Sequence, residues 1–326
     1  MKVIENVSEV IEQLTPYAAH SNDSQVHLTH EEKDSLKVAA ENAQLGLAYN
    51  VHQFLGNRHL TALDKKLIHN EIDATLYIKC IDESTEEGVF AAGIDGSNVA
   101  EAMSNAASYI NGNHNGERVL IEFSKGTYRF SNEDTNLDNT LQIFHNNIVL
   151  YGQDSVIFKM HHTRAQEQIV KMINVYGSNI VICNIEFVMD TSTSYNVDTE
   201  TCAINLNGSG CIVEGCEFTN FTKAIISNFE SNTIMGNYIT RANVGIEIGT
   251  SSLSRLETIA ENTIADCDIG IVAHGKNAKV IGNIIKNTRR KSIEVQDSED
   301  SVVAYNAIFD MPIEVGDSVV GLITEI

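Results

Sequence analysis

The chain has 326 residues, 43% of them apolar, with 21 Gly, two Pro, no Trp and a formal charge of −22. That charge argues against nucleic acid or an anionic membrane surface as partner, because both require clustered Lys and Arg to displace counterions. No apolar run reaches the ~20 residues of a membrane span, and MKVIENVSEVIEQL lacks the basic start and apolar stretch of a signal peptide. Synthesis in the cytoplasm without a leader is expected.

Residues 1–90 carry a repeat of their own. His20, His27, Leu28, Thr29, Lys33 and Leu36 recur as His52, His59, Leu60, Thr61, Lys65 and Ile68 at a constant offset of 32. Thr29 with Glu32, and Thr61 with Asp64, have the spacing of an N-cap and its N3 acid, so each copy predicts a helix start. Leu36, Ala40, Ala43, Leu47, Asn50 and Phe54 form a heptad seam too narrow for a lone helix, which predicts self-association. A small helical domain packed on its own chain is the alternative. Ile68, Ile72 and Leu76 extend a helical stripe to about Cys80. The histidine pairs straddle a cap instead of sharing a helix face, which favours loop packing over a transition-metal site. No metal and no cofactor is expected.

Residues 91–130 form a junction. Asp95-Gly96 marks a turn, a helix starts near Ser97 or Asn98, a strand covers 119–123, and Gly126 marks a further turn. Val99, Met103, Ala106 and Ile110 make one helix face apolar, suited to covering the open end of a solenoid.

From about residue 180 onward a repeat of roughly 20 to 25 residues dominates, a length that means stacked coils. Ile180, Val213, Ile234, Ile259, Val280 and Val303 recur in a first strand; three positions on come Cys183, Cys216, Asn237, Asn262, Asn283 and Asn306. This second column predicts an inward polar ladder at a bend, with amides bonding along the stack. A second strand recurs through Ile204, Ile225, Ile246, Ile271, Ile293 and Ile313, giving two strands per coil. The six cysteines show neither a CxxC pair nor zinc spacing, so they act as small core residues. The fold class expected is mainly β: a single-stranded right-handed parallel β-helix over 91–326, preceded by an α-helical attachment and oligomerisation segment over 1–90.

Strand alternation turns the residue after each second-strand Ile outward: Asn205, Ile226, Glu247, Val272, Glu294 and Glu314. Glu294 and Glu314 fall on neighbouring coils about 5 Å apart, with Glu247 two coils from Glu294; carboxylates at such spacings suit retaining or inverting glycoside hydrolysis. Asp266, flanking Cys267, and His274 join them as candidate catalytic residues. Arg289 and Arg290, in the densest basic run, are candidate substrate-binding residues and the base a lyase needs. The alternative is that outward glutamates solvate a sheet face.

Two resemblances follow from these motifs. Asp95-Gly96, the Ala-rich helix, Gly126-Thr127-Tyr128 and coils such as NNIVLYG and SNIVICNIEF resemble the opening of pectate-lyase-like right-handed parallel β-helix proteins, which include phage tailspikes and polygalacturonase-type hydrolases. Asp266-Cys267-Asp268 and Ala273-His274-Gly275 are similar to the hydrolases' DD and GHG motifs, but compressed into one coil and without an NTD motif, so that family's catalytic roles are not carried over. HLTHEEKDSL and HLTALDKKLI resemble segments of tail fibres and baseplate parts of phages that infect Gram-positive bacteria. Together they imply a virion tail appendage, homotrimeric, joined to tail or baseplate proteins by its N-terminal segment and meeting host polysaccharide or teichoic acid through the solenoid. A glycan hydrolase or lyase, and a purely architectural adaptor, are the alternatives.

Overall fold

The computed structural model describes residues 72–131, 141–153, 155–161, 170–190, 200–249, 254–295, 300–309 and 313–315, which fall in one compact unit. The two HLT copies, their caps, the heptad seam and the histidine pairs lie outside these residues.

The described strands form three sheets. The first has ten strands, with Val89–Ala91, Ala74–Lys79 and Val119–Phe123 at one end and Val302–Ala304 at the other. The second and third each have eight, running from Gly126–Ser131 to Ala307–Ile308 and from Leu141–Ile143 to Ile313–Val315. The pairings are parallel, and the chain visits the three sheets in fixed rotation. Parallel crossover connections of this kind are almost always right-handed. The fold is a right-handed parallel β-helix.

Each coil therefore holds three strands, not the two expected from the repeat. The first recurring segment splits in two: Thr258–Ala260 belongs to the first sheet and Thr263–Ala265 to the second. The break is a residue in the left-handed region, occupied in successive coils by Asn184, Gly215, Gly236, Glu261, Gly282 and Tyr305. The corner into the third sheet uses Asn220, Arg241, Asp266 and Asn287 in the same way. Gly, Asn and Asp predominate at such corners because they tolerate positive φ best.

The bend ladder is present. Asn237, Asn262, Asn283 and Asn306 are buried, and each Oδ1 accepts a backbone N–H from the preceding coil, as in Asn237 N to Asn262 Oδ1 at 3.0 Å. Each Nδ2 donates to a carbonyl, for example Asn262 Nδ2 to Ile234 O at 2.9 Å. Cys216 shares this column, but Cys183 does not. Register pairs Ile182 with Val213 and Cys183 with Glu214, so the first-strand column runs through Ile182 instead of Ile180. Pairing of Phe187 with Phe218 correspondingly puts Ile185 level with Cys216. Cys183 instead packs with Leu120 and Val149, away from the main core. In this coil the ladder position is held by Ile185, so neither a Cys nor an Asn marks the bend there.

Inside the second sheet, Tyr128, Phe158, Phe187, Phe218 and Ile239 stack in register. The Phe187 and Phe218 rings lie parallel within 5° at 4.9 Å. Helix α1 (Val99–Asn113) buries Val99, Ala102, Met103, Ala106 and Ile110 in the same core, as the sequence predicts. Its N-cap is Asn98, without a side-chain cap bond; the preceding turn is held by Asp95, whose Oδ1 accepts from Ser97 N and Oγ. Leu76, expected on a helical stripe, lies in a strand of the first sheet. Leu76 and Ile78 are buried while Thr75, Tyr77 and Lys79 are only partly so, a period of two that pairs with Val119–Phe123.

The cysteines described are free thiols. Burial pushes Cys202 and Cys216 up to about 12, which keeps them protonated and unreactive.

Candidate functional site

The outer face of the third sheet is where the sequence locates its candidate chemistry. Register aligns Asn205, Ile226, Glu247, Val272, Glu294 and Glu314 as one row, in that order along the stack. Glu294 and Glu314 are adjacent in this row, and Val272 separates Glu247 from Glu294.

The row is less open than alternation implies. Asn205, Ile226 and Val272 are buried, while the Glu247 and Glu294 side chains are 23% and 15% exposed. Both glutamates are paired with lysines: Lys223 Nζ lies 3.0 Å from Glu247 Oε2, and Lys291 Nζ lies 3.0 Å from Glu294 Oε1. The lysines come from a second outward row that strict alternation does not reveal. Two consecutive residues, such as Ser292 and Ile293, both point inward, so Lys291 and Glu294 share the outer face.

The remaining candidates fall at the two corners that bound the third sheet. Asp266 is a left-handed corner residue entering the third sheet, exposed, and its Oδ1 accepts from Asn287 Nδ2 at 3.0 Å. Arg289 and Arg290 lie at the same corner one coil on; Arg289 reaches Asp268 at 3.3 Å, with its side chain 72% exposed. His274 lies at the opposite end, immediately after the strand Ile269–Ala273, and its Nδ1 is buried without a partner. A strand of five residues at about 3.3 Å each separates the two corners. Among the described residues, no group of three His, Cys, Asp or Glu side chains converges on a metal-sized site, and no helix is long and apolar enough to cross a membrane.

The structure adds polar groups that sequence reasoning passed over. Along the outer face, Asn205 Nδ2 donates to Asn174 Oδ1 at 2.9 Å, and Asn228 Nδ2 donates to Asn205 Oδ1 at 2.9 Å and to Asn207 Oδ1 at 3.2 Å. These side chains form an amide ladder outside the core, the counterpart of the ladder within it. The signal was present as Asn-x-Asn at 205–207, followed by Asn228 one coil on. Glu257 was also missed. It occupies the corner column of Cys211, Asn232, Ala278 and Ser301 and is 1% exposed, and its carboxylate oxygens take no hydrogen bond from another residue. Burial, with Glu230 nearby adding to it, pushes its carboxyl up to about 7.

In sequence, the chain matches no protein-family profile and no curated protein. Solved structures with similar coordinates include the pectin methylesterase of Aspergillus niger, at 13% identity and a TM-score of 0.46, covering 77% of this chain and 81% of that one. A tailspike protein of E. coli bacteriophage HK620, in complex with a pentasaccharide, matches at 12% identity and 0.44, covering 89% of this chain. ORF18 of Geobacillus virus E2 matches at 13% identity and 0.36, covering 79% of this chain. The chain spans 65% and 60% of the length of these two phage proteins. At such identities the likeness concerns fold alone, and three parallel sheets in fixed rotation establish that fold: the chain is a right-handed parallel β-helix.

Proposed function

We propose that the protein is a phage tail appendage whose solenoid engages a host cell-surface glycopolymer along the outer face of its third sheet. The observation that carries the reading is the amide ladder in which the partly exposed Asn207 and Asn228 are held from behind by the buried Asn205 and Asn174. Side-chain amides present donor and acceptor in one plane, matching the paired hydroxyls of a sugar. The ladder fixes each amide's orientation before ligand arrives, which lowers the ordering cost of binding. The N-terminal HLT repeats supply the virion side of the reading, as an attachment segment for tail or baseplate proteins. Homotrimerisation through the heptad seam belongs to the same proposal.

Hydrolysis or elimination at Glu247, Glu294 and Glu314 is the less supported reading. Glu247 and Glu294 are both paired with a lysine, and the other candidates lie at separate corners. The test is titration of the full chain with cell-wall glycopolymer from Gram-positive bacteria, alongside an assay for reducing ends and unsaturated sugars. Saturable binding without product is expected. Failure to bind any such polymer overturns the proposal, and product release abolished by Glu294→Gln would replace it with the enzymatic reading. Deleting residues 1–71, which keeps the strand Ala74–Lys79 in the first sheet, should leave a folded solenoid that no longer joins the particle; incorporation of the truncated chain would refute the attachment role.

A further inference from the structure

Phe144 and Tyr176 occupy equivalent places in successive coils, because Ile143 pairs with Val175 and the next residue leaves the third sheet in each. Their rings stack at 4.9 Å between centroids and within 6° of parallel. Phe144 is nevertheless 64% exposed and Tyr176 46% exposed, whereas Phe123, Phe130, Phe158, Phe187 and Phe218 are buried in the core. Core packing does not account for a solvent-facing stack, and paired exposed aromatics of this kind mark contact sites.

A parallel stack leaves each ring one free face. Tyr176 lies one coil toward the C-terminus, so the free face of Phe144 turns toward the capped end of the solenoid. There a cleft of about 380 Å³ opens between α1 and the strand Leu141–Ile143, bordered by Met103, Ser104, Ala107, Gln142, Phe144 and His145. This lies at the small end of the ~300 to 1,000 Å³ range of small-molecule sites. Among the described residues, its lining contains no Asp, Glu, Lys or Arg. Gln142 is exposed and His145 partly so, and each can meet a hydroxyl at the rim. Beyond Tyr176 the same row continues into Asn207 and Asn228 of the amide ladder.

An aromatic face beside an uncharged cleft, followed by a line of amides, complements one kind of ligand. A pyranose ring has an apolar C–H face, which packs on an aromatic ring, and a hydroxyl rim, which bonds to amides. A polyanion finds no Lys or Arg among the described residues of this cleft and meets a chain of net charge −22. We propose that the Phe144–Tyr176 stack and the adjoining cleft form the primary docking site for an uncharged sugar residue, with the amide ladder receiving the residues that follow it.

This inference rests on the glycan-binding reading and narrows it to a place and a ligand class. The full chain, Phe144→Ala, Tyr176→Ala and Tyr176→Phe are titrated with uncharged hexose and N-acetylhexosamine oligosaccharides, and with polyglycerol phosphate as the anionic counterpart. Saturation-transfer NMR follows the ring protons. The expected result is binding of an uncharged oligosaccharide, weakened about tenfold by either alanine, as loss of an aromatic contact implies, and retained by Tyr176→Phe. Both side chains are exposed, so far-UV circular dichroism should be unchanged. Glycan binding indifferent to both alanines, or preference for polyglycerol phosphate, overturns this site while leaving the wider reading intact. Absence of all glycan binding overturns both. A fall in particle mass for Phe144→Ala in mass photometry, without sugar binding by the parent, would show the stack to be a contact between copies and also overturns the proposal.

Discussion

Lys291 and Glu294 lie three residues apart on one strand, yet their side chains meet on the same outer face at 3.0 Å. Strict alternation forbids this. It occurs because Ser292 and Ile293 both turn into the core, where a small side chain fits beside a larger one. The equivalent small position is Ala203, Ala224, Gly245 and Gly270 in earlier coils.

Replacing Lys291 with Met leaves Glu294 partly buried without this lysine partner. A loss of about 1 kcal/mol is expected, within the upper range for such pairs. Glu294→Gln in the same background should recover part of it. Denaturation midpoints for the two single variants and the double variant measure the coupling.

Asn262 in the inner ladder should be far less tolerant. Its Oδ1 accepts from Asn237 N and Nδ2, and its own Nδ2 donates to Ile234 O and Asn283 Oδ1. Asn262→Ala leaves buried groups in two coils unpaired, and at about 1 to 3 kcal/mol for each the cost is about 3 kcal/mol or more. Urea unfolding should show a large fall in midpoint; a shift under about 1 kcal/mol would refute the ladder's role.

Glu257 makes stability depend on pH. Its carboxyl titrates near 7 in the folded chain against an ordinary 4.5, so the folded state binds the proton more tightly than the unfolded one. Stability from this group is complete below pH 4.5 and is lost as pH rises through 7, by about 3 kcal/mol. Glu257→Gln should therefore melt higher than the parent at pH 8 and close to it at pH 4.5. Equal melting-temperature differences at both pH values would contradict the assignment.

Gly96 and Thr127 couple the two ends of the junction motif. Gly96 has φ +72°, its carbonyl accepts from Arg129 N at 2.9 Å, and a β-carbon there would lie 2.0 Å from Thr127 O. Gly96→Ala must move backbone that also seats the capping helix. A loss of about 3 kcal/mol or more is expected, from positive φ and overlap combined. A melting temperature within a degree of the parent would show that the turn can relax.

Much of the solenoid was legible because its signal is repeated. The column of Ile204, Ile225, Ile246, Ile271, Ile293 and Ile313 aligns in the structure as it does in the sequence. Asn237, Asn262, Asn283 and Asn306 likewise form the ladder that their spacing implies. The third strand per coil was hidden, since strands of three residues separated by a two-residue bend read as one apolar segment. Cys183 was misaligned because its coil has no amide at the bend. The lysine partners of Glu247 and Glu294 were concealed by the paired inward residues that break a period of two.

The coil, its core column and its inner amides are legible in the chain because each is a local pattern enforced once per turn by burial. Folding sets which outer side chains meet: Lys291 with Glu294 within one strand, and Asn228 with Asn205 and Phe144 with Tyr176 across coils. The meetings across coils depend on register between coils of unequal length, and the loops that set those lengths obey no repeat.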